Sequence, residues 1–136
     1  KAGAAAFAAS SAQPPVSHWT SDEVTAAFAK GRVLFDGEDG RNYMVHASHR
    51  ESPGMVEVHE LDADIIYVLD GSATLVTRGS IQGATTTAPN ETRGTSIANG
   101  DVRHISKGDV LIVPNGTPHW FKDVSGSLNY YVVKVR

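Results

Sequence analysis

The hydrophobic rhythm of the chain changes once. After a Pro pair, Thr20-Ser-Asp-Glu23 forms a capping box, "VTAAFAK" has helical spacing, and Gly31 supplies a stop, so one short helix is expected over Ser21–Lys30. From there the period falls to two. Short runs rich in Val, Ile, Tyr and Thr are broken by Gly, Asp, Asn and Pro, which predicts strands at about 32–36, 41–49, 55–61, 64–70, 73–78, 102–105, 110–113, 118–123 and 128–135. One helix followed by many short strands indicates an all-β antiparallel barrel or sandwich. The stretch "RGSIQGATTTAPNETRGTSIANG" shows no sustained period, and reads as a long surface loop, residues 79–101, between the two halves.

Length sets the scale. At 136 residues and 40% hydrophobic, the chain suits one domain, taken as residues 20–136 behind a flexible arm, residues 1–19. A net charge of -3 with no basic stripe argues against nucleic acid, and no apolar run is long enough to cross a bilayer, so a soluble protein is expected. Cysteine is absent, which excludes disulfides, thiolate nucleophiles and zinc-thiolate sites. The Ala-rich start "KAGAAAFAASSAQPP" resembles the tail of a secretory signal with cleavage after Ala12, so a periplasmic or secreted location is expected. The alternative is an Ala-rich arm that packs on a neighbouring subunit.

The candidate chemistry sits at strand edges. In a strand, residues two apart share a face, so Glu57 and His59 point the same way, and a turn around Leu61-Asp62-Ala63 returns Asp64 beside them. Downstream, "GDVLIVPNGTPHWF" delivers His119 at the beginning of another strand. Two imidazoles and two carboxylates facing one cavity suit a divalent transition metal, because buried carboxylates close together without a cation are costly. The metal-free alternative is a hydrogen-bonded cluster lining a pocket.

Other residues carry weaker signals. His46 and His49 are three apart and fall on opposite faces of their strand, and His104 is expected to be solvated. Phe121 shares a face with His119 and is expected to wall the pocket, while Trp120 faces away. Arg93 would reach a substrate carboxylate if the loop covered the mouth; the plainer expectation is a surface Arg. No G-x-S-x-G turn or phosphate cradle appears. If Asp64 faces inward, so do Ile66 and Val68, leaving Ile65, Tyr67 and Leu69 outward; a strand apolar on both faces needs an outer cover, and a second copy predicts a homodimer.

The two segments together resemble the two motifs of the cupin superfamily, small jelly-roll β-barrels. Gly108, Pro114, Gly116 and His119 match the second motif position for position, with Asp123 at its final Asn. In the first motif, Glu57-Val-His59 falls on the H-x-H, Asp64 on the Glu and Gly71 on the closing Gly. There are departures: Gly54 is out of register for the opening Gly, Glu57 replaces a His, and Asp64 replaces a Glu. Cupins commonly hold Fe, Mn, Ni or Zn with three His and one Glu. The resemblance therefore implies a metal set of Glu57, His59, Asp64 and His119. Asp64, one methylene shorter than Glu, would be the fourth ligand or a partner of the ligands. Glu57 and Asp64 are the candidate catalytic groups, with Phe121 and Arg93 at the substrate pocket. The implied function is a metal-binding cupin enzyme, a dioxygenase, isomerase or lyase, acting on a small oxygen-rich metabolite; the alternative is a non-catalytic cupin that binds a small sugar or acid.

Overall fold

The computed structural model describes residues 13–136. The Ala-rich start, with the cleavage expected after Ala12, lies outside the described residues. Helix α1 spans Ser21–Phe28, and both halves of its capping box are formed: the Thr20 side chain accepts from the Glu23 amide, and the Glu23 carboxylate accepts from the Thr20 amide. Eleven strands follow: β1 Arg32–Phe35, β2 Tyr43–Arg50, β3 Val56–His59, β4 Ala63–Thr77, β5 Ser80–Gln82, β6 Thr85–Ala88, β7 Glu91–Gly94, β8 Ser96–Ala98, β9 Asp101–Ser106, β10 Val110–Val113 and β11 His119–Val135.

Two long strands organise the rest. β4 has 15 residues and β11 has 17, where the sequence suggests a break in each, and they run antiparallel along their whole length. Their first and second halves belong to different layers. Residues 63–68 of β4 pair with β11 on one side and, over 64–67, with β10 on the other, and β11 continues to β2 and β1. Residues 72–77 of β4 pair instead with β9, and the start of β11 passes to β3, β7 and β6. The change of direction falls at Gly71, whose φ is +86°, opposite a register break in β11 between Ser125 and Asn129. A Cβ at Gly71 would lie 1.9 Å from the Ser127 carbonyl oxygen, so only glycine lets the two backbones meet there. The sheet thus curls into a barrel around a core of Ile66, Val68, Leu75, Ile105, Phe121, Leu128, Tyr130 and Val132.

The expected long loop is corrected. Within residues 79–101, four short strands form: β5 pairs with β8, and β6 and β7 extend the sheet from β3. The segment "TTTAPNETRG" is too polar and too short to show a period, yet its backbone closes a hairpin with Asn90 at φ 63°. Pairing with β3 supplies what its composition does not.

Ile66 and Val68 face the core, and Ile65 and Tyr67 face outward, as alternation requires. The outer cover is partly the chain's own: α1 packs Ala27 and Phe28 onto Ala47, with Leu34, Leu69 and Tyr131 around them. Ile65, Tyr67, Val110 and Ile112 remain exposed side by side on β4 and β10.

Candidate metal centre

The barrel encloses a cavity of about 670 Å³ lined by side chains from β2, β3, β4, β6, β7 and β11. At its inner wall β3 offers Glu57 and His59, the start of β4 offers Asp64, and the start of β11 offers His119, which is registered with Glu57. Three separated segments thus converge. The His59 Nε2 lies 3.6 Å from Glu57 Oε2 and 3.5 Å from Asp64 Oδ2; His119 Nε2 lies 3.8 Å and 3.6 Å from the same two oxygens. The imidazole centroids are 5.0 Å apart.

The other nitrogen of each ring is occupied. His59 Nδ1 is 2.5 Å from Glu91 Oε2, and His119 Nδ1 is 3.0 Å from the Thr117 carbonyl oxygen. Both partners accept only, so each Nδ1 carries the proton and donates it. In the neutral rings that leaves a lone pair on each Nε2, aimed at the same point as two carboxylates. His59 Nε2 is buried with no hydrogen-bond partner. A lone pair facing carboxylate oxygens at 3.5–3.6 Å in a buried wall is unfavourable without a cation between them. Burial also lowers the pKa of His119 below the usual histidine range, favouring the neutral form that can ligate.

The donor spacing fits an ion. Ligands bound at 2.0–2.2 Å in a tetrahedron lie roughly 3.3–3.6 Å from one another. Glu57, His59 and His119 each offer an atom within 4.8 Å of the other two. Asp64 Oδ2 lies as close to both imidazole nitrogens as Glu57 does, but the carboxylate has a second partner. Its Oδ1 accepts from Lys134 Nζ at 2.7 Å, which draws the short side chain toward β11 and leaves Oδ2 facing the imidazoles. The residues therefore fit a divalent transition metal held by two imidazoles and a carboxylate.

The remaining expected positions divide. Phe121 is buried and lines the cavity, and Trp120 turns away, donating its indole N–H to the Gly54 carbonyl at 3.0 Å. Arg93 sits opposite Glu57 in the β3–β7 register, its guanidinium 3.7 Å from Glu57 Oε1 at the half-open mouth, rather than on an unrelated surface. His46 lines the cavity while His49 faces away, bonded to Asn129. His104 is exposed.

Sequence reasoning missed Glu91, Lys134, Arg50 and Tyr130. Glu91 lay in the presumed loop. Arg50 and Lys134 were legible by alternation: Met44, His46, Ser48 and Arg50 share one face of β2, and Tyr130, Val132 and Lys134 share one face of β11.

Residues 39–135 match the Cupin family. No curated protein matches the sequence. Among solved structures the chain is similar to BH2720 from Bacillus halodurans (TM-score 0.60, 15% identity, covering 89% of this chain and 82% of that one). It is also similar to the polyketide cyclase RemF from Streptomyces resistomycificus (TM-score 0.52, 22% identity, 77% of this chain and 63% of that one). The EutQ protein of Clostridium difficile is comparable (TM-score 0.51, 18% identity, 77% and 65%). The chain spans less than two thirds of the cyclase and of EutQ. At these identities the likeness is one of fold. The chain belongs to the cupin family.

Proposed function

We propose, from that membership and the donor geometry, that the chain is a metal-dependent cupin enzyme acting on a small oxygen-rich metabolite. The observation that carries this reading is the buried, unpartnered His59 Nε2, pointing with His119 Nε2 at Glu57. His59, His119 and Glu57 would hold one divalent ion (Fe, Mn, Zn or Ni), with Glu91 and the Thr117 carbonyl fixing the two rings. Such an ion supplies Lewis-acid polarisation of a substrate oxygen. Asp64, held through Oδ1 by Lys134, keeps Oδ2 free at the cavity wall to take or return a substrate proton. That division of labour supplies the proton transfer that isomerase- or lyase-type chemistry needs, and with Fe(II) the same centre would also suit a dioxygenase.

Metal content of protein purified without chelator tests the reading. About one equivalent is expected, lost in His59→Ala, His119→Ala and Glu57→Ala and kept in Asp64→Asn. Wild-type protein that carries no transition metal and takes none up defeats it. The second reading, a non-catalytic cupin that binds a small sugar or acid, is favoured by one observation. Lys134 and Arg93 already lie beside Asp64 and Glu57, so the carboxylates have some charge compensation from the chain itself.

The exposed row Ile65, Tyr67, Val110 and Ile112 supports a homodimer through β4 and β10. Ile112→Lys should then shift the sedimentation coefficient from dimer to monomer; an unchanged value removes this assembly.

A further inference from the structure

We infer that the cavity holds a built subsite for a carboxylate, centred on Arg50, and hence that the substrate class is small carboxylic acids. This rests on the proposed reading of the metal centre for its catalytic meaning, but not for the binding itself.

Three permanent cations line the cavity, and two are engaged. Lys134 lies 2.7 Å from Asp64 and Arg93 lies 3.7 Å from Glu57. Arg50 has no carboxylate within ion-pair distance among the described residues. It is nevertheless held on three sides. Its Nε donates to Tyr130 Oη at 2.9 Å, its Cζ lies 4.7 Å from the Phe121 ring centroid, and its Nη1 rests where a Cβ of Gly54 would stand, 2.5 Å away. Gly54 is itself fixed, its amide donating to the Phe121 carbonyl at 3.0 Å and its carbonyl accepting from Trp120. A guanidinium so oriented has fork donors to offer and no acid to receive them. Ser48, two residues earlier on the same face of β2, lines the cavity beside it.

Charge permits an anion. The cavity wall carries four carboxylates, of which Asp62 is paired with Arg136 Nε at 3.1 Å, leaving Glu57, Asp64 and Glu91 balanced by Arg50, Arg93 and Lys134. An anion therefore meets no net negative charge on the wall. The flat fork of one guanidinium also matches the two oxygens of a carboxylate.

Calorimetric titration tests this, using lactate, malonate and malate, the neutral amide of lactate, and inorganic phosphate, with metal content measured on each sample. At least one acid should bind wild-type protein while lactamide does not. Arg50→Gln should weaken that acid at least about tenfold and Arg50→Lys should restore only part, because an ammonium lacks the fork. Gly54→Ala should also weaken it, since the added methyl displaces the guanidinium while every charge stays. Unfolding curves on the same variants separate a local effect from a lost fold, and Gly54→Ala keeps the test open if Arg50→Gln does not fold. Wild-type protein that binds none of the acids, binds phosphate more tightly than all of them, or binds an acid equally well after Arg50→Gln overturns the subsite. The two readings fail separately: Arg50-dependent binding in protein that takes no metal would sink the metal centre alone, and unaltered metal content with Arg50-independent binding would sink the subsite alone.

Discussion

Removing the Glu91 carboxylate tests how the centre is built without touching any proposed ligand. Glu91 Oε2 lies 2.5 Å from His59 Nδ1, and His59 Nε2 is the atom with no other partner. The carboxylate fixes the tautomer and the orientation of the ring, and loss of such a partner typically costs 10–100-fold in metal affinity, about 1.4–2.7 kcal/mol. The side chain is 37% exposed, so in Glu91→Ala water takes over as acceptor and the loss should fall toward the lower half of that range. Glu91→Gln retains a carbonyl acceptor and should lose about tenfold or less. Competition with a chromophoric chelator reads the affinity. Stability of the metal-free proteins, read by melting, should fall by about 0.5–1.5 kcal/mol, the net worth of one half-buried hydrogen bond, which sets the stability loss apart from the loss of metal affinity. Glu91→Ala holding metal as tightly as wild type would refute the argument that Nδ1 is the donor and Nε2 the ligand.

Two further outcomes follow from the fold. Gly71→Ala forces a left-handed residue against the Ser127 carbonyl; backbone strain and overpacking of about 1–3 kcal/mol each should lower the denaturation midpoint sharply, and a near-native midpoint would contradict the close approach of β4 and β11. His49 has its pKa raised, first by the bond to Asn129 and then by Glu51. Its folded value lies above the unfolded one, so its contribution is fully present below about pH 6.5 and fades as pH rises through the folded value. Melting curves of wild type and His49→Gln should therefore diverge at about pH 5.5 and converge at about pH 8.5; a gap that widens with pH would reverse the assignment.

Much of this was legible in the chain alone. Alternating apolar positions made the strands, Thr20 and Glu23 started the helix, and the period of two put Glu57 beside His59 and Phe121 beside His119 on common faces. Those are local facts, set by backbone geometry over a few residues. The continuity of β4 and β11 through Gly71 and Ser125–Asn129 was not local, because a glycine that ends a strand and a glycine that lets two strands touch look the same until the partner is placed. Glu91 stood in polar sequence that becomes a strand through its pairing with β3 and β6. That Asp64 Oδ1 meets a lysine was decided by Lys134, 70 residues away, and which arginine lacks an acid was decided by the whole wall of the cavity. Sequence period determines which way a side chain points; long-range packing alone determines what it meets, since pairing energies depend on distances that no local pattern encodes.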